Sequence, residues 1–311
     1  MIDNKFSENA KTILEKRYLK TDAEGNPTET PDDMFRRVAD NIALADSYYS
    51  ATPRKVVQTS DKFFDILSSL KFLAGTPLRN AGRRLQQLSA CFVLPLNDSL
   101  ESIYDTLKNS ALVFRSGGAV GISFSRLRPR GSYIASTGGQ SSGPVSFMDL
   151  YNASTDVINE ACVRYGATMG VLRIDHPDIL EFINAKKKEG RLENFNLSVS
   201  IPEYFMDALE SGDDVELKDP HTGEVVTGTK STSLYDELCR AAWKSAELSL
   251  LFIDEINRTN PTPKAGRIEA VNLCGEQPLL PYESCNLGSI VLPNVADENG
   301  NIDWDELSGV V

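Results

Sequence analysis

From Leu88 onward, short apolar runs alternate with stretches of helical pattern, and this alternation restricts the possible folds more than any other feature. Cys91–Leu94 and residues 121–124 have the length and composition of buried strands, and residues 99–115 between them have those of a helix. Strands that alternate with helices form a mostly parallel sheet with covering helices, which can also close into a barrel. We therefore expect an α/β fold.

The alternation of strand and helix patterns continues toward the C-terminus, whereas the N-terminal part has a helical pattern only. The pattern predicts helices over 147–161, 177–186, Glu203–Ser211 and 234–245, strands over 169–174, 196–201 and 250–254, and a hairpin over 215–226. Residues 7–75 have a helical pattern, with Ser7 as N-cap of a helix over Glu8–Arg17. Thr30 followed by Pro31 and two aspartates predicts a second helix start.

Composition excludes several classes of protein. A net charge of −12 over 311 residues argues against wrapping a nucleic-acid backbone, so any phosphate must be held locally by N–H groups and a few arginines. No run of eighteen apolar residues occurs and the N-terminus lacks an apolar signal core, which predicts a cytoplasmic protein without a membrane partner.

The five cysteines are odd in number and lack the tight spacing of a secreted disulfide framework. No Cys-x-x-Cys pair occurs and the chain has only two histidines, His176 and His221, so we expect no metal site. We interpret His176 as a helix-start residue, His221 as a turn residue, and Cys162 and Cys239 as core residues.

Cys274 lies between Asn272 and Glu276, at positions i−2 and i+2. In an extended segment both polar side chains would point to the same face as the thiol. A thiol flanked by an amide and a carboxylate indicates chemistry, although Asn-x-Cys-x-Glu also occurs by chance in loops. A single cysteine in a strand, such as Cys91, is commonly a core residue.

Eight segments in order resemble one family. They are LSACFVLP (88–95), DSLESIYDTLKNSA (98–111), SGGAVGISFSRLRPRG (116–131), STGGQSSGPVSFM (136–148), HPDILEFI (176–183), NFNLSVSIP (194–202), LFIDEINRTNPTP (251–263) and NLCGEQPLLPYESCNLGSI (272–290). Together they resemble the N-terminal portion of a ribonucleotide reductase catalytic subunit, of the adenosylcobalamin-dependent (class II) type.

The resemblance implies a fold and a domain division. It implies an α/β protein in which an N-terminal helical layer precedes the first half of a ten-stranded α/β barrel, with a central finger loop over residues 272–285. The division would place an N-terminal helical region at 1–80 and an incomplete barrel domain at 81–311. The chain would be a fragment, or one half of a split enzyme that needs a second chain.

The resemblance also implies a mechanism and its residues. Cys274 would become a thiyl radical and remove the 3′ hydrogen of the ribose, with Glu276 as general base for the 3′-hydroxyl and Asn272 orienting the ribose. Cys91 and Cys285 would protonate the departing 2′-hydroxyl, supply two electrons and close to a disulfide. The activity would be reduction of ribonucleotides, either diphosphates or triphosphates, for DNA synthesis and repair.

Two sets of binding residues follow from the same resemblance. Substrate contacts are implied at Thr76, Ser89, Ala90, Gly117, Gly118 and Ala119, and effector contacts at Asp98, Ser99, Leu100, Arg128 and Arg164. Small residues at 117–119 would let N–H groups approach an anion, although the glycines could simply make a turn. Arg126, Arg128 and Arg130 alternate, so they could present one basic face to a triphosphate or form a solvated run of charge.

The implied partners are a ribonucleotide, a deoxynucleoside triphosphate effector, a second copy of the chain, a thioredoxin-like reductant and adenosylcobalamin. The loop at 160–167 departs from the family because only Gly166 remains of its glycines, which should stiffen it and puts effector communication in doubt. Residues 246–249 replace a usual Gly/Pro turn. Two alternatives stay open: a catalytically silent nucleotide-binding half, and the large subunit of the metal-dependent class I.

Overall fold

The computed structural model describes residues 6–160 and 165–311. In these residues the helices are α1 Glu8–Arg17, α2 Pro31–Ala43, α3 Pro53–Ser68, α4 Thr76–Asn80, α5 Leu100–Arg115, α6 Pro144–Asn159, α7 Ile179–Ile183, α8 Glu203–Ser211, α9 Ser231–Ser245, α10 Ile253–Arg258 and α11 Trp304–Val310, with 3₁₀ turns at Leu44–Tyr49 and Leu292–Val295. The strands are β1 Phe72–Ala74, β2 Cys91–Leu94, β3 Ala119–Ser123, β4 Tyr133–Ile134, β5 Gly139–Gln140, β6 Thr168–Arg173, β7 Phe195–Ile201, β8 Asp214–Lys218, β9 Val225–Lys230, β10 Ser249–Phe252, β11 Ala270–Val271, β12 Pro278–Leu279, β13 Ser284–Cys285 and β14 Gly288–Ile290.

Most of the predicted elements are confirmed, and the differences lie mainly at their ends. Phe72–Ala74, within the region predicted as helical, is a strand because it pairs with β14. α1, α8 and β2 have the predicted bounds. α7 covers only Ile179–Ile183 of the predicted 177–186, because its N-cap is Asp178, after the proline. The strand predicted over 250–254 ends at Phe252, where α10 begins.

The chain forms two compact units, one from residues up to 90 together with Asn286–Val311, and one from Cys91–Cys285. In the first unit α2 packs on α3 around Met34, Phe35, Val38 and Leu67. Thr30 closes a capping box with Asp33 at the start of α2, as the sequence predicts. β1 pairs with β14 in antiparallel fashion. The division at residue 80 stays a prediction.

The second unit is built on a six-stranded sheet, counted over the described residues, in the order β10-β7-β6-β3-β2-β13. The first five strands are parallel and β13 is antiparallel to β2. Helices connect the parallel strands, as the alternating pattern predicts. The sheet is curled into a half-barrel with helices on one face.

The two faces of this sheet have different neighbours, because side chains alternate along each strand. Val120, Ile122 and Leu172 point toward the helices and share a core with Tyr151 and Phe182. The opposite face carries Val93, Met169, Val171 and Leu251, which pack against β11 and β12. This second face is the inner face of the half-barrel. No helix in the described parts of the chain is long and apolar enough to cross a membrane.

Candidate active site

Cys274 lies at the tip of a tight hairpin whose strands are β11 and β12. The turn, residues 272–277, is closed by the Asn272 N–H donating to the Gln277 carbonyl at 3.0 Å and by the Gly275 N–H donating to the Asn272 carbonyl at 3.1 Å. Gly275 has φ +84°, a conformation that favours glycine. We call residues 272–277 the Cys274 turn.

The base of this turn rests directly on the inner face of the sheet. A Cβ added to Gly121 in β3 would lie 1.7 Å from the Val271 carbonyl oxygen. Val271 and Ala270 are buried against Met169 and Val171 of β6. Only glycine at 121 lets the backbone of the hairpin approach β3 this closely, so the predicted central loop does lie on the inner face.

Residues 272–277 form a turn and not an extended segment, so the three side chains do not share a face. Asn272 is completely buried, whereas Cys274 and Glu276 are exposed. The chain reverses direction at Gly275. Side chains at positions 272, 274 and 276 would share a face only if this segment were a straight strand. The thiol and the carboxylate are both accessible to a ligand on the inner face.

Cys91 and Cys285 face each other across an antiparallel pair of strands. Cys285 in β13 is the register partner of Cys91 in β2. Directly opposed residues in such a ladder have Cβ atoms about 4.5–5.5 Å apart, within reach of a disulfide after a small adjustment. Both residues are thiols here; Cys91 is buried and Cys285 is half-buried.

Asn272 connects this pair of thiols to the Cys274 turn. Its Nδ2 donates to Sγ of Cys285 at 3.9 Å, and its Oδ1 accepts the Gln277 N–H at 3.0 Å. One buried amide therefore contacts the thiol pair and holds the turn closed.

Burial raises the pKa of the Cys91 thiol, and the neighbouring Cys285 raises it further. Hydrogen bonds to Cys91 from the Leu273 backbone and from Asn272 oppose this rise without cancelling it. Cys91 therefore stays protonated at neutral pH. The Leu273 contact brings the residue next to Cys274 against the thiol of Cys91.

The predicted substrate residues at 117–119 lie beside the thiols, but their N–H groups are used elsewhere. Ala119 is the register partner of Cys91 in the neighbouring strand. The N–H groups of Gly117 and Gly118 donate to the carbonyls of Phe114 and Val113, at 2.8 and 3.0 Å. The two glycines therefore cap the C-terminus of α5, and the approach of this segment to an anion stays a prediction.

The remaining predicted substrate residues belong to the first unit. Thr76 begins α4, and its Oγ1 is buried without a hydrogen-bond partner among the described residues. The backbone N–H of Ser89 donates to the side chain of Gln87, and Ala90 is buried.

The predicted effector residues form a small polar cluster. Nε of Arg128 donates to Asp98 at 2.7 Å, and both side chains are largely buried. Ser99 is the N-cap of α5, and Leu100, the first residue of that helix, is exposed. Arg164 lies outside the described residues, as do Ala161, Cys162 and Val163.

His221 joins this cluster and was missed by sequence reasoning. It lies in the turn between β8 and β9, as predicted, but its Nδ1 is 3.6 Å from Oδ2 of Asp98. The Asp98 and His221 positions are far apart in the chain, and no local pattern could indicate their approach.

The expectation of one basic face over residues 126–130 is wrong. Each arginine forms an ion pair with a different partner: Arg126 with Glu269, Arg128 with Asp98 and Arg130 with Glu181, each with one N···O distance of 2.7 or 2.8 Å. The carboxylates come from three separate segments, so the positive charges are divided among them.

The surroundings of Cys239 and Gly166 differ from those expected from the sequence. Cys239 lies in α9 as predicted but is exposed, because it is turned away from the buried positions of that helix, which are Ser231, Leu234, Leu238 and Ala241. Gly166 does not have a positive φ; its absent side chain makes room for the ring of Phe114, 2.4 Å from an added Cβ.

A parallel α/β half-barrel whose inner face carries a cysteine turn and two facing thiols defines the class of the protein as an α/β barrel protein. Residues 89–311 match the family model of the ribonucleotide reductase barrel domain, and residues 4–86 match that of the ribonucleotide reductase all-alpha domain. The chain belongs to the ribonucleotide reductase family, and the predicted fold class is confirmed.

Curated relatives agree with this assignment. The chain is 42% identical to a vitamin B12-dependent ribonucleoside-diphosphate reductase of Thermoplasma acidophilum, over 99% of the chain and 47% of the relative. It is 44% identical to a reductase of the same name from Mycobacterium tuberculosis, over 98% of the chain and 44% of the relative. A vitamin B12-dependent ribonucleotide reductase of Streptomyces clavuligerus is 35% identical over 77% of the chain. The chain thus spans about half the length of the first two of these relatives.

Proposed function

We propose that this chain is the thiol-bearing portion of an adenosylcobalamin-dependent ribonucleotide reductase. It would reduce ribonucleotides to deoxyribonucleotides in a complete enzyme. The observation that carries the proposal is the joint placement of Cys91, Cys285 and Asn272 beside the turn that presents Cys274. Three thiols and an amide are brought together from the β11–β12 hairpin, the nearby strand β13, and β2, which is far from both in the sequence.

In the proposed reaction, Cys274 acts as a thiyl radical that takes the 3′ hydrogen of the ribose, while Glu276 accepts the proton of the 3′-hydroxyl. The 2′-hydroxyl leaves as water after receiving a proton from the thiol pair. Cys91 and Cys285 lose two electrons and two protons overall and form one disulfide, and Cys274 finally returns its hydrogen atom to C3′. The balance is one ribonucleotide and two thiols to one deoxyribonucleotide, one disulfide and one water.

The raised pKa of Cys91 supports its role as proton donor, because a donor must hold its proton at neutral pH. The exposure of Cys274 and Glu276 supports their roles at the reacting ribose. Asn272 would orient the ribose while it keeps the Cys274 turn closed, since its Oδ1 already accepts the Gln277 N–H.

The residues present fit the chemistry of adenosylcobalamin in one respect: they offer a thiol on which a protein radical can form. When bound, this cofactor supplies homolytic chemistry that removes a hydrogen atom from a thiol. The accessible thiol of Cys274, on a turn held by two backbone hydrogen bonds, presents such a hydrogen atom in one place. Relatives that are named as vitamin B12-dependent support this choice over the metal-dependent class I.

We extend the proposal to the other ligands. The substrate would lie along Cys91, Ala119 and the Cys274 turn, with Thr76, Ser89, Ala90, Gly117 and Gly118 as further contacts. A deoxynucleoside triphosphate effector would bind at Asp98, Ser99, Leu100 and Arg128, with Arg164 as a further contact, and would have to displace the ion pair of Arg128 with Asp98.

A homodimer would form next to this effector site. α5 and α6 pack against each other and expose Leu100, Tyr104, Leu112 and Val157. Exposed apolar side chains on paired helices support an interface with a second copy. A thioredoxin-like reductant in the cytoplasm would restore the thiols, and the rest of the barrel would be supplied by further sequence or by a second chain.

The test is ribonucleotide reduction by the complete enzyme, with adenosylcobalamin and a dithiol reductant. We expect Cys274→Ser to abolish product formation, whereas Cys239→Ser, a change at an exposed cysteine of α9, should leave turnover near normal. The 1–311 chain alone should be inactive. Near-normal turnover by Cys274→Ser would refute the assignment, and nucleotide binding without turnover by the unmodified complete enzyme would favour a silent nucleotide-binding protein.

A further inference from the structure

Two neighbouring contacts join the segment after β2 to the segment after β3. In the first, Arg128 is paired with Asp98. In the second, Nη1 of Arg126 donates to Oδ1 of Asn97 at 2.8 Å. Asn97 and Asp98 are adjacent, and Arg126 and Arg128 are two residues apart, so the contacts are consecutive connections between the same two segments.

The second contact continues into the hairpin that carries Cys274. Arg126 holds Glu269 in a bidentate pair, with Nε and Nη2 at 2.9 and 2.8 Å from its two carboxylate oxygens. Glu269 immediately precedes β11, whose Val271 lies on Gly121. Arg126 therefore contacts Asn97, the chain neighbour of Asp98 in the proposed effector cluster (Asp98, Ser99, Leu100 and Arg128), and Glu269, the residue before the first strand of the hairpin that carries Cys274.

We propose that Arg126 is a positioning residue that couples occupancy of the effector cluster to the placement of Cys274, through the Asn97–Arg126–Glu269 contacts. The inference rests on the proposed effector site at Asp98 and Arg128. It concerns a connection separate from the 160–167 loop.

The ion pair between Arg126 and Glu269 is exposed to solvent, so a competing charge can break it. The side chains of Arg126 and Glu269 are 53% and 39% exposed, so their attraction is weakened by solvent. A triphosphate placed at Asp98 and Arg128 brings several negative charges next to Arg126. These charges compete with the single charge of Glu269, and a weak surface pair loses such a competition. Glu269 is then released, and the base of the hairpin loses its anchor to the effector cluster.

The reporter is alkylation of Cys274, which is exposed at the tip of the turn. The 1–311 chain is treated with iodoacetamide, and each cysteine is quantified by mass spectrometry, with exposed Cys239 as the internal reference. Without nucleotide, we expect Arg126→Gln and Glu269→Gln each to speed alkylation of Cys274 about two- to fivefold, the range expected for loss of one exposed ion pair. Arg126→Lys keeps the charge but loses the two-pronged geometry, so it should give an intermediate rate.

Arg267→Gln is the matched control. Arg267 lies two residues before Glu269 and forms a similarly exposed ion pair, at 2.8 Å, with Asp254 of α10. It has no contact with Asn97 or Asp98 among the described residues. We expect this variant to leave the alkylation rate of Cys274 unchanged, and thermal melting of all four variants checks that they are folded.

The second measurement adds each of the four deoxynucleoside triphosphates, with binding followed by calorimetry. A bound nucleotide should speed alkylation of Cys274 about two- to fivefold in the unmodified chain and have no further effect in Arg126→Gln. Unchanged basal rates in both Gln variants, or an undiminished nucleotide effect in Arg126→Gln, would overturn the coupling. Absence of nucleotide binding by the unmodified chain would instead refute the effector site, and the basal rates would still decide whether Arg126 positions the turn.

Discussion

Replacing Gly121 by alanine tests whether the Cys274 turn depends on close approach of the hairpin to β3. The added Cβ would lie 1.7 Å from the Val271 carbonyl oxygen and 3.5 Å from Cα of Asn272. The first distance is impossible for real atoms, and the atom that must move is backbone. β3 is central in the sheet, with β2 and β6 on either side, so the hairpin rather than the strand should be displaced.

The size of the effect follows from that geometry. A carbon–oxygen contact needs about 3.3 Å, so the Val271 carbonyl must retreat by about 1.6 Å. Overpacking of this kind costs about 1–3 kcal/mol, and we expect about 3 kcal/mol here because a backbone has no alternative rotamer. For a unit of this size, that loss lowers the melting temperature by about 6–12 °C.

The assay combines thermal unfolding with alkylation of the cysteines. Because Asn272 follows Val271, the displaced hairpin should also expose Cys91 and Cys285 to iodoacetamide. Gly228→Ala is the control: it adds a Cβ to another strand, β9, but the nearest atom is 3.8 Å away. A melting temperature for Gly121→Ala within about 1 °C of the unmodified chain, far less than about 3 kcal/mol would produce, with the same alkylation pattern, would refute the argument.

Three other predictions follow from particular residues. Ala246 caps α9 with φ +55°, so Ala246→Gly should raise the free energy of unfolding by about 0.5–1 kcal/mol in urea titrations, and any loss of stability would contradict this. Burial raises the pKa of Cys91, so its alkylation rate should rise about tenfold per pH unit from pH 7 to 9 without a plateau. In Cys285→Ser the alkylation rate of Cys91 should reach its plateau at lower pH, because the neighbouring thiol contributes to the raised pKa of Cys91. An unchanged dependence of this rate on pH would contradict the prediction. Burial lowers the pKa of His176, so the unfolded chain gains a proton first as the pH falls below about 6.5, and stability should decrease by up to about 1.4 kcal/mol per pH unit. Urea titrations between pH 7 and 5 should show a shallower decrease for His176→Gln.

The elements with local signals could be predicted from the sequence. Thr30 before Pro31 marks the start of α2 because the cap is made within three residues, and the apolar run Cys91–Leu94 is a strand because its neighbours on both faces are apolar. The identity of the thiols as a functional set came from the family resemblance, since the spacing from Cys91 to Cys285 carries no physical signal of its own.

The rest depends on contacts between distant segments. The three arginines at 126–130 have the pattern of one basic face, yet each is paired with a carboxylate from a different segment. Likewise, the Asn272–Gln277 hydrogen bond converts an alternating segment into a turn. Contacts formed only in the folded chain determine both cases, and a local stretch of sequence does not reveal them.

The two facing thiols also stand where the chain enters and leaves the second unit, since that unit begins at Cys91 and ends at Cys285. A disulfide between them would convert the whole barrel segment into a covalent ring with both termini emerging from the same link. Such a crosslink closes a very long loop and removes much entropy from the unfolded chain. In the proposed reaction the second unit would alternate between an open chain and a ring, so oxidised protein cut once within residues 92–284 should stay in one piece until a reductant is added.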